Sequence, residues 1–130
     1  PNKESKMKIE VSNGEIFDKL SILEVKSQKI TDTIKLEYVN KEYQYLKQII
    51  DMINFSLNTE AYKKLRDINF QLWDIEDEIR LKEEQADFGD RFIELSRLIY
   101  TLNDERFRLK KNINVETGSN FHEQKGHKAT

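Results

Sequence analysis

The chain has 130 residues, of which 35% are charged and 37% hydrophobic, and it contains no cysteine. This length predicts a single domain with its own core, and the lack of cysteine excludes disulfides and thiolate metal sites and favours a cytoplasmic location. The 22 basic and 24 acidic residues nearly cancel, so no electrostatic signal predicts binding to nucleic acid or to a membrane surface. With four glycines and one proline, the composition favours long helices, and no apolar run is long enough to cross a bilayer.

The first predicted helix covers about residues 13–30 and follows a polar segment, residues 1–6, that we expect to be a disordered extension. Its start is marked by "SNGE" at 12–15, which fits a capping box in which the serine hydroxyl accepts from the Glu15 amide. The hydrophobic residues that follow lie on one stripe: Ile16, Leu20, Leu23 and Ile30. This spacing is typical of an amphipathic helix.

Three further helices follow, over about 33–55, 60–86 and 91–113. Their predicted N-caps lie in "TDT", at Asn58 or Thr59, and at Asp90 of "DFGD", since these side chains accept hydrogen bonds from free helical amides. Each helix carries a hydrophobic stripe at alternating steps of three and four, such as Leu65, Ile68, Leu72, Ile75 and Ile79. The tail, residues 114–130, is polar and is predicted to be irregular or disordered.

The four stripes predict an all-α fold, because no segment longer than "KIEV" alternates with the period of a strand. Heptad-like spacing and short links favour left-handed, coiled-coil-like packing of antiparallel neighbours. We therefore expect residues 7–113 to form an antiparallel four-helix bundle or two packed long helical hairpins.

Polar residues beside the hydrophobic stripes are the candidates for function. In the third helix, Asn69, Trp73, Glu76 and Arg80 follow each other at steps of four, three and four, and Arg106 lies on the stripe of the fourth. A turn near residue 88 predicts that Glu76 contacts Arg106 or Asn103, since a buried arginine needs a partner. Antiparallel packing predicts that, from the first helix, Glu24 approaches the Asn103–Arg106 level and Lys19 approaches residues 107–110.

Two interpretations of this polar layer stay open. It fixes the register of the helices, as a buried polar residue does in a coiled coil, or it lines a pocket for a small anionic ligand. In the second case arginines clamp the anion and Glu76 or Asp77 serves as acid or base. The candidate ligand-binding residues are Lys19, Glu24, Asn69, Trp73, Glu76, Asp77, Arg80, Asn103, Asp104 and Arg106.

Other motifs favour no cofactor or metal. Asp74-x-x-Asp77 resembles the acidic motifs of all-α Mg²⁺-dependent nucleotide pyrophosphatases only loosely, and a solvated acidic face is the simpler interpretation. His122 and His127 lie in the polar tail and are interpreted as ordinary tail residues. Helical chorismate mutases offer an analogy of fold alone, because they also line a bundle pocket with charged residues.

The phrases "KIEVSNGEIFDKLSILEVK", "LWDIEDEIR" and "FGDRFIELSRLIYTLNDERFRLKKNIN" and the "GS" that follows resemble a bacterial family of small helical proteins known only as a domain of unknown function. The resemblance runs from Met7 to Ser119. Positions that match the family's pattern are Glu15, Asp18, Lys19, Glu24, Lys26, Trp73, Glu76, Asp77, Arg80, Asn103 and Asp104. The family's association with glycosyltransferase and surface-polysaccharide genes implies a link to glycan or nucleotide-sugar metabolism.

These observations lead to a first expectation about function. The sequence has no nucleophile triad, metal motif or phosphate-binding glycine loop, which favours a non-catalytic accessory or interaction protein. We expect it to form a homo-oligomer or to bind another protein. The alternatives are a small-molecule-binding protein or enzyme for an anionic ligand, and the Mg²⁺-dependent pyrophosphatase.

Overall fold

The structure, a computed structural model, describes residues 7–53 and 55–119. Over these residues the chain forms four α-helices and no strand: α1 (Asn13–Lys29), α2 (Thr33–Ile50), α3 (Glu60–Glu84) and α4 (Asp90–Thr117). The prediction of an all-α helical bundle is therefore confirmed. No described helix is both long enough and apolar enough to span a membrane.

Three helices begin at the polar caps that the sequence predicts. The side chains of Ser12, Asp32 and Thr59 accept hydrogen bonds from amides in the first turns of α1, α2 and α3. The start of α4 differs, because Gly89 is its N-cap and Asp90 lies one residue inside the helix. Asp90 thus acts on α4 as an acidic residue near the positive end of the helix dipole.

The helices are arranged as two hairpins, α1–α2 and α3–α4, with α1 in the centre. Among the described helices, the backbone of α1 lies close to all three others, whereas the backbone of α2 lies close to that of α1 alone. This position makes α1 buried on several sides, and Phe17 and Leu20 are fully enclosed. The core also takes side chains from the other helices: Val39, Leu46, Ile50, Tyr62, Leu65, Ile68, Leu72, Leu109 and Ile113.

Helices α1 and α4 are antiparallel and lie unusually close at one end. A methyl group added to Gly14 would lie 2.4 Å from the backbone oxygen of Lys110, so only glycine permits this approach. The Gly14 amide also donates to Asn114 Oδ1 at 2.6 Å, and Lys110 Nζ lies 2.7 Å from Glu15 Oε2. Polar contacts therefore close this end of the bundle.

Two helix ends differ from the prediction. Helix α2 ends at Ile50 instead of residue 55, because the following turn packs its own side chains on the core, with Phe55 edge-to-face against Phe17 at 5.1 Å. Helix α4 continues beyond Ile113 to Thr117 and ends at Gly118, which has a left-handed φ of 67°.

Residues 114–117 are thus helical, and the prediction that the irregular tail begins at 114 is wrong there. The physical reason is tertiary: Asn13 donates from its backbone to Ser119 Oγ at 3.0 Å and from Nδ2 to Thr117 Oγ1 at 2.9 Å. The tail from residue 120, the extension at 1–6, and Asn54 lie outside the described residues. The division into extension, domain and tail otherwise stays a prediction.

Candidate functional site: a polar cleft between α1, α3 and α4

A cavity of about 230 Å³ lies between α1, α3 and α4, and we call it the polar cleft. Its lining residues are Ile22, Val25, Asn69, Leu72, Trp73, Glu76, Asn103 and Arg106. Val25, Asn69 and Leu72 are buried and form its inner part, whereas Glu76 is exposed at the mouth. The polar cleft thus joins an apolar wall to a small set of hydrogen-bonding groups, which is the usual composition of a ligand site.

An ion pair between α1 and α4, formed by a buried carboxylate and a partly exposed guanidinium, lies at the wall of the polar cleft. Arg106 Nε donates to Asp18 Oδ1 at 2.9 Å, and Arg106 Nη2 donates to Asp18 Oδ2 at 2.5 Å. The Asp18 side chain is 1% exposed and that of Arg106 27%. Because the guanidinium matches both carboxylate oxygens, this geometry offsets the cost of removing the two charges from water.

Asn69 of α3 is oriented by the same carboxylate. Its Nδ2 donates to Asp18 Oδ1 at 3.0 Å and to Ser21 Oγ at 2.6 Å. The Ser21 hydroxyl donates in turn to the Asp18 backbone oxygen at 2.7 Å, so it is an acceptor for Asn69. Both amide hydrogens of Asn69 are used, and its Oδ1 accepts no hydrogen bond from a described residue. A hydrogen-bond acceptor is therefore held in the wall of the polar cleft.

Asn103 of α4 offers hydrogen-bond donors to the polar cleft, whereas Asn69 offers an acceptor. Its Oδ1 accepts from Arg106 Nη1 at 3.3 Å. Since a guanidinium only donates, Asn103 directs its oxygen toward Arg106 and keeps its Nδ2 hydrogens for another partner. Glu76 adds a carboxylate acceptor at the mouth. The polar cleft consequently presents two acceptors and one donor around the indole of Trp73.

The structure corrects the predicted partner of Arg106. Its carboxylate partner is Asp18, and Glu76 forms no hydrogen bond or ion pair with any residue in the described part of the chain. The predicted contact follows from the α3–α4 hairpin alone, whereas in the structure α1 is the central helix and its Asp18 reaches Arg106. Glu76 lines the same cavity from its exposed side.

Two predicted residues of α1 lie elsewhere. Lys19 pairs with Glu42 of α2 at 3.1 Å instead of approaching residues 107–110, because it follows Asp18 by one residue and is turned about 100° away from α4. Glu24 lies on α1 between Ile22 and Val25, which line the cavity together with Asn103 and Arg106, but its side chain faces Arg66 of α3 at 3.8 Å. Neither residue lines the polar cleft.

The ten candidate residues therefore divide into two groups. The structure brings five together around the polar cleft: Asn69, Trp73, Glu76, Asn103 and Arg106. Of the others, Asp77 and Arg80 are exposed on α3 and Asp104 is half-buried on α4, and none of these three lines the cavity.

Asp18 and Ser21 are the polar residues that the candidate set lacks. A signal for them exists in the sequence, because Gly14, Asp18, Ser21 and Val25 are spaced at steps of four, three and four. This is a second stripe on α1, made of small and polar residues beside the hydrophobic one. Two such stripes indicate a helix that is covered from two sides.

A second polar cluster lies between α1, α2 and α3. Burial, and then the nearby Glu24 carboxylate, raise the pKa of the Tyr62 hydroxyl well above its usual value, and the same two causes raise the pKa of Tyr43. Tyr62 OH and Glu24 Oε2 are enclosed, and neither has a hydrogen-bond partner in the described part of the structure. The cluster is separate from the polar cleft.

Two of the four acidic residues of "LWDIEDEIR" pair with different cations. Asp74 pairs with Lys29 of α1 at 2.7 Å, and Glu78 pairs with Arg91 of α4 at 2.6 Å. Within residues 7–53 and 55–119, no group of three or more His, Cys, Asp or Glu side chains is placed to hold a metal ion. The prediction for His122 and His127 falls outside those residues.

Fold and cavity together define an all-α bundle protein with a polar cleft beside an interhelical ion pair. The chain belongs to a family of unknown function, DUF6165, whose model matches residues 7–130. The resemblance found in the sequence phrases is thereby confirmed at the level of the family. No curated protein and no solved structure matches the chain.

Proposed function

We propose that this protein is a non-catalytic binding protein for a small, uncharged, hydroxyl-rich ligand of the sugar class, held in the polar cleft. The observation that carries the proposal is the fixed polarity of Asn69 and Asn103 beside Trp73. A sugar hydroxyl both donates and accepts, so neighbouring hydroxyls match alternating acceptors and donors. The indole supplies a flat apolar surface for the C–H face of a sugar ring.

Electrostatics favour a neutral ligand over the anion expected from the sequence. Arg106 is bound through two hydrogen bonds to Asp18, so their charges cancel. Glu76 then gives the polar cleft a net negative charge. An anion would meet the Glu76 carboxylate without an uncompensated cation to offset it.

The size of the cavity supports a single small ligand. Its volume of about 230 Å³ lies below the roughly 300–1,000 Å³ of sites for drug-sized molecules. A binding role is also favoured over catalysis, because Asp18 and Arg106 hold each other and only Glu76 lacks a partner there. A general acid–base pair needs a second titratable group within reach of the substrate. The glycan link implied by the family resemblance suggests an accessory role in that metabolism.

Trp73 provides a direct test, since it is the only tryptophan of the chain. Its fluorescence is titrated with a panel of neutral monosaccharides, with nucleotide sugars and with inorganic phosphate as the anion alone. We expect a saturable change in emission with at least one neutral sugar and none with phosphate. Two results would contradict the proposal: saturation by phosphate or by nucleotide sugars alone, or no response to any neutral monosaccharide.

Substitutions in the polar cleft locate the binding. Asn103→Ala and Glu76→Ala should each weaken binding by about 3- to 10-fold, the effect of one lost hydrogen bond. The matched controls are Asp77→Ala and Arg80→Ala, which change neighbouring α3 residues outside the cavity. Equal effects from the controls and the cleft variants would place the binding site elsewhere.

A further inference from the structure

Helix α2 carries a second stripe of large side chains, which we call the outer stripe: Ile34, Tyr38, Lys41 and Tyr45. Ile34, Tyr38 and Tyr45 are 67%, 71% and 59% exposed. The residues of α2 that face α1 are different ones, Val39, Leu46 and Ile50, and they are buried. The outer stripe thus lies on the side of α2 that faces away from the bundle.

Nothing in the described part of the chain covers this side of α2. The backbone of α2 lies close to that of α1 alone, and only Val39, Leu46 and Ile50 of its 18 residues are buried. Single exposed hydrophobic residues are common, but three large ones on one face of a helix, here with Lys41 among them, favour an interaction surface. Two tyrosines in the row strengthen this interpretation, since tyrosine is enriched in protein interfaces.

The spacing of the outer stripe identifies its partner. Its members are separated by steps of four, three and four, which is the same sequence of steps in either direction. A second α2 in antiparallel orientation can therefore overlay its stripe on the first. Residues whose numbers sum to 79 then face each other, so Ile34 meets Tyr45, and Tyr38 meets Lys41, of the other copy.

We propose that the protein forms a homodimer through antiparallel packing of two α2 helices along the outer stripe. The Ile34–Tyr45 contacts bury apolar surface at both ends of the stripe. Between them each Lys41 ammonium lies over a Tyr38 ring, an arrangement that attracts a cation to the π face. Lys41 has no ion pair with a described residue of its own chain, so it is available for this contact.

Charges beside the outer stripe are complementary in the same orientation. Lys35 and Glu42 lie on one flank, seven residues apart, so antiparallel packing brings each Lys35 next to Glu42 of the other copy. Lys35 has no ion pair with another described residue. Glu42 also pairs with Lys19 of its own chain at 3.1 Å, and its side chain is 44% exposed, so a second cation can reach it. On the opposite flank Glu37 lies near Gln44 of the other copy, and this pair carries no like charges. In a parallel dimer each residue would lie beside its own copy, so Lys35 would meet Lys35 and Glu42 would meet Glu42.

The size of the interface predicts a weak dimer. An 18-residue helix is about 27 Å long, and a contact of one such helix pair lies at the low end of specific interfaces. We expect a dissociation constant on the order of 10–100 μM, which makes dimerisation depend on concentration. Sedimentation equilibrium of the full chain across this range measures it directly.

Substitution of both tyrosines tests the surface. Tyr38→Glu with Tyr45→Glu should weaken dimerisation by at least about tenfold, because four like charges then meet in the contact. The control is Tyr100→Glu, which changes a tyrosine of α4 that is 62% exposed and outside the outer stripe. All of these positions are exposed, and far-ultraviolet circular dichroism verifies that each variant retains its helices.

Two further variants test the register. Lys35→Glu should weaken the dimer, and Lys35→Glu with Glu42→Lys should restore it, since the exchanged charges match again. Glu42→Lys alone is measured beside them, because it also removes the ion pair with Lys19; it should weaken the dimer, since two lysines then meet. Because the chain has no cysteine, Ile34→Cys and Tyr45→Cys proteins can be mixed and treated with a short bismaleimide. The antiparallel dimer links the two different variants to each other. A parallel dimer links each variant to itself.

Three results would overturn the proposal. The first is a protein that stays monomeric up to about 1 mM, well above the expected dissociation constant. The second is a dimer that tolerates the Tyr38→Glu and Tyr45→Glu substitutions as well as it tolerates Tyr100→Glu. The third is cross-linking of Ile34→Cys to itself in place of Tyr45→Cys.

Discussion

Asp18 and Arg106 are 88 residues apart in the sequence and joined by two hydrogen bonds, from Nε to Oδ1 and from Nη2 to Oδ2. The carboxylate belongs to the central helix α1 and the guanidinium to α4, the last helix. Asn69 of α3 donates to the same carboxylate. One buried aspartate therefore holds three helices in register and orients the side chains of the polar cleft.

Replacement of Asp18 by alanine should destabilise the protein by about 3 kcal/mol, because it removes the two hydrogen bonds that the carboxylate accepts from Arg106 and the one that it accepts from Asn69. The free energy of unfolding, measured by urea denaturation, is the readout. The matched control is Asp74→Asn, which breaks the more exposed ion pair with Lys29 and should cost less than about 1 kcal/mol. Similar losses in both variants would show that Asp18 contributes no more than a surface charge.

The close approach of α1 to α4 predicts that Gly14→Ala is destabilising. The new methyl group would lie 2.4 Å from the Lys110 backbone oxygen and 2.9 Å from Asn114 Oδ1. Backbone cannot move aside as a side chain does, so the helices must separate, at a cost of about 1–3 kcal/mol. Thermal and urea unfolding measure the loss.

Gly89→Ala is the control for that substitution. Gly89 has a φ of −78°, and the nearest atom to its added methyl group is Asp87 Oδ1 at 3.4 Å. Alanine adopts this conformation without strain, so the stability should change by less than about 1 kcal/mol. A larger loss at Gly89 than at Gly14 would refute the assignment of the tight contact.

Acid should destabilise the tip of the α3–α4 hairpin. Hydrogen bonding to Arg91 lowers the pKa of Glu78, and hydrogen bonding to Lys82 lowers that of Asp87. Because each pKa is lower in the folded state, the stabilisation is present above their ordinary values of 4.5 and 3.8. It is lost as the pH falls through the folded-state values.

The test of the acid effect is the melting temperature between about pH 7 and pH 2, over which these carboxylates titrate. Glu78→Gln should make the decrease in melting temperature toward low pH smaller, because glutamine does not titrate in this range. Glu84→Gln, an exposed position of the same helix with no ion pair among the described residues, should leave the decrease unchanged. If the melting temperature of Glu78→Gln decreases with pH as steeply as that of the parent protein, this ion pair does not contribute to the destabilisation by acid.

Alkali should destabilise the protein through Tyr62. Its pKa is raised in the folded state by burial and by Glu24, so the unfolded chain ionises first as the pH passes the ordinary tyrosine value of 10. The contribution of the protonated Tyr62 hydroxyl to the free energy of unfolding is therefore fully present below that value and is lost as the pH rises above it. Tyr62→Phe should weaken this fall. At neutral pH it should change stability by less than about 1 kcal/mol, since the hydroxyl has no described hydrogen-bond partner.

Unfolding of Tyr62→Phe and of the parent protein is compared from about pH 8 to pH 12, which brackets the ordinary tyrosine pKa. Tyr100→Phe is the control, since Tyr100 is exposed on α4. The interpretation fails if Tyr62→Phe loses stability in alkali as steeply as the parent does.

The sequence predicts the helices well because their periodicity and caps are local. It misplaces the end of α2, since Ile53 continues the hydrophobic spacing although it lies in a turn that packs on the core. It also ends α4 too early, because Asn114 is polar and its role depends on Gly14, which is 100 residues away. Local patterns contain no information about that contact.

The polar cleft is partly predictable for the same reason. Asn69, Trp73 and Glu76 form a stripe on one helix, and the stripe lines one wall of the cavity. The partner of Arg106 is not predictable from the α3–α4 turn, because α1 packs against both helices and contributes Asp18. Only the order of helix packing, which is a tertiary property, distinguishes Asp18 from Glu76.

The central position of α1 also affects the order of folding during synthesis. Its Gly14 and Asp18 bind side chains of Asn114 and Arg106, which emerge from the ribosome after α2 and α3. Until then α1 lacks these partners for its buried carboxylate and its Gly14 amide. Formation of the native core should therefore wait for the final turns of α4, and nascent chains stalled before residue 106 should remain sensitive to protease.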